Sequence, residues 1–206
     1  TRQYQIQKIT GKPDWNKIEK APIDQKLWLP CEQISAYAQL AYDDSRLYVR
    51  LHAEEPTIRA ENTGMLGQPC QDSCLEFFFS AAEQDARYIN IELNPSLCIY
   101  FGFGTGREDL MRILLPDGAK TLHAASERTP SGWDVTDELP FQLLRLFFPD
   151  FAPSGTIGGN FYKCGDLTVQ EHYLAWNRVD AGAVKKSVPS SHASSFSAPG
   201  RWMFLL

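Results

Sequence analysis

The chain has 206 residues, of which 43% are hydrophobic, and this is enough apolar material for the core of one globular domain. We therefore expect a single domain over residues 1–206. The formal net charge is −5 and basic residues cluster nowhere beyond Lys185-Lys186, which argues against nucleic acid as a partner. No apolar run approaches the roughly 20 residues of a membrane-spanning helix, so no membrane span is predicted.

The cysteines form neither a CxxC pair nor a complete metal motif. Cys70 and Cys74 are four positions apart, but no second pair and no nearby histidine completes a zinc site. Together with Cys31, Cys98 and Cys164 they are expected to be small buried residues or reduced thiols. Free thiols do not exclude a cytoplasmic location, and the sequence shows no signal segment, so localisation stays open.

The first quarter of the chain predicts an entry region followed by a hairpin. Residues 1–30 predict a strand and an extended loop, because alternating apolar residues give way to three prolines. Ala36–Tyr42 and Arg46–Ala53 alternate in hydrophobicity around Asp43-Asp44-Ser45, which is typical turn chemistry. Glu54–Gln71 carries Pro and Gly residues and predicts a loop that forms a rim.

The centre of the chain predicts a three-stranded meander over Asp72–Phe79, Tyr88–Asn94 and Leu97–Phe103. The middle strand alternates without a break between apolar and polar positions. Its apolar face carries Ile89, Ile91 and Leu93, and its polar face carries Tyr88, Asn90, Glu92 and Asn94. An aromatic, two amides and an acid on one strand face indicate a binding surface rather than plain solvent exposure.

The remaining chain predicts more strands and one short helix. The predicted strands are Met111–Leu115, Leu122–Glu127, Trp133–Leu139, Thr156–Cys164, His172–Trp176 and Trp202–Leu206. Pro140–Phe148 predicts a helix, because Pro suits its start, Leu143, Leu146 and Phe147 recur at helical spacing, and Pro149 ends it. About ten short strands with turn signals between them indicate an all-β fold, an antiparallel β-sandwich of jelly-roll type.

Two carboxylates on neighbouring predicted strands, Glu76 and Glu92, leave two interpretations open. A facing pair of acids is what a glycosidase needs. Alternatively, the acids bind sugar hydroxyls or pair with Lys163 or Arg107, as buried acids in β-sandwiches usually do. No HxH or HExxH pattern supports a hydrolytic metal site.

Trp176 also has two interpretations. It precedes Asn177, and an indole beside an amide suits sugar binding, because the ring covers the apolar face of a pyranose while the amide bonds hydroxyls. The pattern is equally consistent with a tryptophan that belongs to the core.

Four segments in this order resemble the family 9 carbohydrate-binding modules, and most of all the branch described as family-9-like or DOMON-like. They are Asp72-Ser73-Cys74-Leu75-Glu76-Phe77-Phe78, Tyr88-Ile89-Asn90-Ile91-Glu92-Leu93-Asn94, Gly159-Asn160-Phe161-Tyr162-Lys163-Cys164-Gly165-Asp166 and His172-Tyr173-Leu174-Ala175-Trp176-Asn177. The resemblance runs from Trp28 to the end of the chain.

The resemblance implies a jelly-roll sandwich that holds a terminal sugar unit of a glucan or xylan between two tryptophans without cleaving it. It implies no required cofactor, leaves structural calcium open, and suggests an extracellular location and association with glycoside hydrolases. Trp176 matches the tryptophan of the late strand, Glu76 matches the acid of the D-S-x-E segment with one extra residue before it, and Tyr162 matches a polar ligand position.

The sequence departs from the family pattern at two places. Cys70 stands where the other sandwiching tryptophan is expected, and the tail reads Phe196-Ser197-Ala198-Pro199 instead of Phe-His before a proline. Losing one stacking ring removes about 1–3 kcal/mol if base stacking is a guide. Either a rim aromatic substitutes (Tyr88, Tyr100 or Tyr162), or the ligand differs, or affinity is weak.

We therefore predict a non-catalytic carbohydrate-binding domain rather than an enzyme. The predicted sugar-binding residues are Trp176, Glu76, Tyr162, Lys163, Asn90, Glu92, Tyr100, Arg107 and Cys70. The alternatives are a glycoside-cleaving enzyme that uses Glu76 and Glu92, a haem-binding DOMON-type domain with Met65 and His172 as axial ligands, and a scaffold role. The acidic loops Asp43-Asp44 and Glu108-Asp109 are where calcium could bind.

Overall fold

Two β-sheets that share one apolar core make up most of the computed structural model, which describes residues 2–82, 85–106, 108–179 and, for the backbone alone, 203–205. In chain order the strands are β1 (Gln3–Gln5), β2 (Gln7–Lys8), β3 (Ala21–Ile23), β4 (Gln25–Lys26), β5 (Ser35–Tyr42), β6 (Arg46–Glu54), β7 (Cys74–Ser80), β8 (Tyr88–Leu93), β9 (Ile99–Gly104), β10 (Met111–Arg112), β11 (Ala125–Arg128), β12 (Gly132–Pro140), β13 (Thr156–Gly165), β14 (His172–Ala175) and β15 (Met203–Leu205). The helices are α1 (Gly118–Thr121) and α2 (Phe141–Phe147), and a 3₁₀ turn covers Pro69–Gln71.

The first sheet has the strand order β1-β15-β13-β7-β8-β9-β10, with β14 joining β13 to β4. The second sheet has the order β11-β12-β6-β5-β2, with β3 also on β5. Each sheet therefore has an inner face toward the other sheet and an outer face away from it. The meander β7-β8-β9 is the centre of the first sheet, and it forms as the sequence predicts.

The alternation along β8 places its residues on the faces that the sequence predicts. Ile89, Ile91 and Leu93 belong to the core between the sheets, whereas Tyr88 belongs to a second apolar cluster on the outer face. The polar positions are buried as well, since Asn90 and Glu92 are at most 2% exposed. The outer face of the first sheet is therefore a covered surface, unlike the outer face of an ordinary solvated sheet.

The helix α2 closes one side of the core. Phe141 and Leu144 are buried in the core, and the backbone N–H of Phe148 donates to the carbonyl of Leu144 where the helix ends. Pro140 is the N-cap residue, so the helix begins one position after the predicted start, and Pro149 follows the C-cap residue Phe148. The predicted short helix near 140–148 is confirmed.

The β-sandwich is confirmed, with several differences from the prediction, among them four short strands (β1–β4) where one strand and a loop were predicted. The pairs β1–β15 and β2–β5 are parallel, so the sandwich is not wholly antiparallel. The predicted strand Met111–Leu115 shortens to β10. The predicted strand Leu122–Glu127 begins only at Ala125, because α1 and the turn after it occupy the preceding residues. Of the helices in the described ranges, none is both long and apolar enough to cross a bilayer.

Candidate functional site

A row of four polar residues crosses the outer face of the first sheet. Tyr162 on β13 pairs with Glu76 on β7, Glu76 pairs with Glu92 on β8, and Glu92 pairs with Tyr100 on β9. Directly paired residues in an antiparallel sheet have Cβ atoms about 4.5–5.5 Å apart, so the four side chains are neighbours on one face. We call Tyr162, Glu76, Glu92 and Tyr100 the polar row.

Two further polar residues extend this row. Asn90 lies two positions before Glu92 on β8, and its Nδ2 donates to a Glu92 carboxylate oxygen at 2.8 Å. The Arg112 guanidinium lies 4.8 Å from the centre of the Tyr100 ring, and its NH2 group donates to the carbonyl of Gly67. Tyr100 and Arg112 are partly exposed, so this end of the row is the one nearest to solvent.

Burial governs the ionisation of the row. Burial raises the pKa of Glu92 from 4.5 to about 7, the hydrogen bond from Asn90 opposes the rise, and the charge of Asp166 adds to it. Burial also raises the pKa of Tyr100 to about 12 and that of Tyr162 further. The row therefore carries two phenol groups, and one of its carboxyl groups changes charge close to neutral pH.

The row adjoins a group of buried thiols. Cys74 on β7 pairs with Cys164 on β13, and the Cys164 thiol donates to a Glu76 carboxylate oxygen at 3.0 Å. Cys70, in the 3₁₀ turn, belongs to the same buried cluster. We call Cys70, Cys74 and Cys164 the thiol cluster. Cys70 was predicted to replace a stacking tryptophan, and the structure places it against this face without a ring.

An aromatic pair, Trp28 and Tyr173, lies beside the site at β14. The rings of Trp28 and Tyr173 meet edge to face at 5.2 Å. The Tyr173 hydroxyl oxygen lies 2.7 Å from an Asp166 carboxylate oxygen and 2.8 Å from one of Glu171, so its single proton has two acceptors within reach. Trp28 has a φ of 58°, which a bulky residue adopts only under local constraint, and such strain concentrates at functional sites.

The predicted site residues did not include Trp28, Tyr173, Asp166, Arg112, Cys74 or Cys164. Asp166 could have been found from the sequence, because it is the last residue of the segment Gly159–Asp166 that resembles the family. Trp28 and Arg112 come from a loop and a two-residue strand, and no periodicity marks either of them.

Trp176 lies on the other side of the sheet. Its ring is 2% exposed and belongs to the core between the sheets, 5.7 Å from the Phe161 ring and 6.5 Å from the Tyr4 ring. This placement corrects the prediction that Trp176 stacks on a sugar and favours the alternative interpretation, a core tryptophan. A ring enclosed by core side chains has no face on which a sugar can stack.

Lys163 also points inward, away from Tyr162. Its ammonium group lies 3.1 Å from the Glu55 carboxylate and 2.6 Å from Nε2 of His172. Glu55 also accepts hydrogen bonds from Ser73 and Trp133. This placement corrects the expectation that Lys163 lies on the polar face, since adjacent residues of a strand point to opposite faces.

The remaining predicted residues divide as follows. The structure brings together Glu76, Asn90, Glu92, Tyr100, Tyr162 and Cys70. Arg107 and the tail Phe196–Pro199 lie outside the described residues.

The geometry gives no support to the haem alternative. The ring nitrogens of His172 contact the Lys163 ammonium and the carbonyl of Gln170, and burial together with Lys163 lowers the pKa of His172 to about 4. Met65 packs against the core beside Gly118.

The acidic loops named for calcium use their carboxylates in turns. Asp43 accepts hydrogen bonds from the backbone of Ser45 and Arg46 and from the Tyr48 hydroxyl. Asp109 accepts from Thr105 and from the backbone of Gly106. Calcium binding at either loop stays a prediction.

Comparisons with known proteins point in one direction. The sequence model of carbohydrate-binding family 9 matches residues 9–196. A candidate carbohydrate-binding protein from Bacteroides uniformis ATCC 8492 is similar in structure, with a TM-score of 0.75 and 23% identity over 98% of this chain and 99% of that one. Among the curated proteins, no sequence matches this chain.

Two structures of family 9 modules from Caldicellulosiruptor kristjanssonii are also similar. One, in complex with cellotriose, has a TM-score of 0.67 and 12% identity over 99% of this chain and 93% of that one. The other, in complex with glucose, has a TM-score of 0.62 and 14% identity over 87% of this chain and 89% of that one. At these identities the likeness concerns the fold.

Proposed function

The chain belongs to carbohydrate-binding family 9, and we propose that its polar row is where it binds a sugar. The observation that carries this proposal is the register that aligns Tyr162, Glu76, Glu92 and Tyr100 on four neighbouring strands. Sugar-binding proteins pair hydroxyl groups with carboxylates, amides and phenols that are held in fixed positions. The central strands of a sheet fix these positions better than a loop does.

The chemistry of the row matches the edge of a pyranose. Glu76 and Glu92 accept hydrogen bonds from sugar hydroxyls, and Asn90 both donates and accepts. Arg112, at the exposed end, donates to ring or hydroxyl oxygens. Tyr162, Glu76 and Glu92 are buried in this structure, whereas Tyr100 and Arg112 are partly exposed, so on this proposal the sugar reaches the row from the Tyr100 end. Hydrogen bonds formed there away from water are strengthened.

The stacking ring, on this proposal, comes from the rim rather than from Trp176. Trp28 and Tyr100 are partly exposed aromatics at opposite ends of the outer face, and each is held in place by a neighbour, Tyr173 or Arg112. An aromatic ring covers the apolar face of a sugar while its neighbours bond the hydroxyls. This assignment compensates for the absence of a tryptophan at Cys70.

The sugar we propose is a terminal glucose-type unit of a glucan or xylan chain. The support is the family and the cellotriose and glucose bound by the two Caldicellulosiruptor modules of the same fold. We also propose that the protein is extracellular and associates with glycoside hydrolases, as such modules usually do.

We further propose that binding occurs without cleavage. Glu76 and Glu92 are adjacent on one flat face, so both approach a sugar from the same side. A glycosidase needs its two carboxyl groups to flank the scissile bond. Incubation with cello- and xylo-oligosaccharides, followed by chromatography of the products, tests this point. Release of shorter sugars by the wild type but not by Glu76→Gln would contradict it.

Calorimetric titration with glucose, cellobiose, cellotriose and xylotriose tests the binding proposal. We expect Tyr100→Ala to lower the affinity for the most tightly bound of these sugars by roughly 5- to 100-fold, the range expected for the loss of one stacking contact. Tyr37→Ala is the matched control, because Tyr37 is a partly exposed tyrosine on the second sheet. Binding of none of these sugars, or equal affinity in Tyr100→Ala and wild type, would overturn the proposal.

A further inference from the structure

Two thiols and a carboxylate converge at the end of the polar row. Cys74 and Cys164 are directly paired across β7 and β13, and Glu76 lies on the same face of β7 two positions after Cys74. The two Sγ atoms and a Glu76 carboxylate oxygen all lie within 4.8 Å of one another. All three side chains are at most 2% exposed.

We propose that this arrangement is a binding site for Zn²⁺, with the Sγ atoms of Cys74 and Cys164 and a carboxylate oxygen of Glu76 as ligands. Thiolate and carboxylate are both established zinc ligands, and thiolates select zinc over magnesium and calcium. A tetrahedral site with Zn–S distances of about 2.3 Å places its ligand atoms about 3.8 Å apart. The spacing of the three atoms is compatible with this geometry after small side-chain rotations.

Cys70 lies next to the proposed site but is not one of its ligands, because the group of ligand atoms within 4.8 Å of one another comprises Cys74, Glu76 and Cys164. Its 3₁₀ turn contacts β7, β8 and β13, and its thiol belongs to the same buried cluster as Cys74 and Cys164. The turn is tied to the end of β13, because the backbone N–H of Asp166 donates to the carbonyl of Cys70. The two paired strands would therefore supply three ligands, and a water molecule would complete the tetrahedral site under this turn.

Acidic side chains lie beside the cluster. Glu92 pairs directly with Glu76 across β7 and β8. A coordinated metal ion deprotonates a thiol outright, and the neighbouring carboxyl groups would complement the positive charge of a bound Zn²⁺.

The site would connect the thiol cluster to the sugar face. Glu76 is a ligand of the proposed site and a member of the polar row, so a bound cation would fix its carboxylate beside Glu92. The proposal itself needs no sugar, so the metal site can be tested whether or not the polar row binds carbohydrate.

Cobalt substitution tests the site in the whole reduced chain. Metal-free protein is titrated with Co²⁺, both in the native state and during refolding, because the ligands are buried and metal binding couples to folding. We expect about one equivalent of Co²⁺ to produce a sulfur-to-metal charge-transfer band and the visible bands of a tetrahedral site, and Zn²⁺ to abolish both.

Single substitutions assign the ligands. Cys74→Ser and Cys164→Ser should lose most of the charge-transfer band. Glu76→Gln should keep the band but lower the affinity for Co²⁺ by more than about 10-fold, because loss of a residue that only supports a ligand already lowers metal affinity about 10-fold. Cys31→Ser is the matched control, because Cys31 is a buried free cysteine of the core between the sheets. The control should bind as the wild type does.

Three results would overturn the site. The first is a wild type that shows no thiolate band by either route of loading. The second is a Cys74→Ser protein, folded by near-ultraviolet circular dichroism, with an unchanged band. The third is a disulfide between Cys74 and Cys164, found by peptide mass mapping in protein purified without added reductant and still present after metal is supplied.

Discussion

Glu76 and Glu92 stand directly opposite each other on β7 and β8, in a row that continues to Tyr162 on one side and Tyr100 on the other. Two acids in cross-strand contact are unfavourable for the fold, because like charges repel and both groups lose water. Burial accordingly shifts the pKa of Glu92 to about 7. We propose that this unfavourable pair is present because the two carboxyl groups recognise sugar hydroxyls.

The first prediction concerns Glu92→Gln. Hydrogen bonds to a charged acceptor contribute about 1.5–3 kcal/mol, so the variant should bind sugar roughly 10- to 100-fold more weakly above pH 7. Glu127→Gln is the control, since Glu127 is an exposed acid of β11. Calorimetry of the two variants side by side provides the measurement, and equal affinities would remove Glu92 from the site.

The pH dependence of sugar binding follows from the same group. The ionised carboxylate is the stronger acceptor. Since the pKa of Glu92 is about 7, wild-type affinity should rise from about pH 6 to about pH 8. Glu92→Gln should show no such rise. An equally steep profile in the variant would assign the titration to another group.

Trp28→Ala tests the proposed exchange of stacking residues. Loss of this ring should lower the affinity for sugar roughly 5- to 100-fold, and the protein should remain folded. Trp176→Phe should do the opposite, because its ring packs among core side chains: stability should fall by at least about 1 kcal/mol and affinity should stay unchanged. Urea unfolding and calorimetry on both proteins separate the two roles. The reverse pattern would restore Trp176 as the stacking residue.

Lys163→Met should destabilise the protein without touching the sugar site. Removing one partner of a buried ion pair costs about 3–5 kcal/mol, and here it leaves Glu55 charged between the sheets. The double variant Lys163→Met/Glu55→Gln should recover part of the loss. Denaturant midpoints measure both effects. Unchanged stability together with lost sugar binding would show that Lys163 acts at the site after all.

Asp137 gives a stability prediction that is independent of any ligand. Its carboxyl lies on the core side of β12, and neither of its oxygens has a hydrogen-bond partner among the described residues. Burial raises its pKa from 3.8 to about 7. Between these values the folded state holds a proton that the unfolded state has lost, so stability falls as pH rises through this window.

Replacing this acid should therefore stabilise the protein most at and above pH 7. The shift corresponds to an upper limit of about 4 kcal/mol, and Asp137→Val should remove that part of the pH dependence. Thr136→Val on the other face of β12 is the control and should leave the profile unchanged. A Asp137→Val protein that is less stable than wild type at pH 8 would contradict the account.

The faces of β8 could be predicted from sequence because strict alternation leaves one arrangement that buries Ile89, Ile91 and Leu93. The alignment of Glu76 with Glu92 needed the register, which depends on strand ends and turns that composition does not specify. The same rule could have placed Lys163 on the inner face, since it is adjacent to Tyr162, but the prediction assigned both residues to the sugar site. The burial of the polar row had no signal in the sequence, because it depends on tertiary packing that alternation along a strand does not encode.

A crystal structure of the chain with cellotriose tests the central claim most directly. We predict that the terminal glucose unit lies on the outer face of the first sheet, with its hydroxyls within hydrogen-bond distance of Glu76 and Glu92 and its ring against Trp28 or Tyr100. A sugar bound on the second sheet, or one bound without contact to either glutamate, would contradict the account.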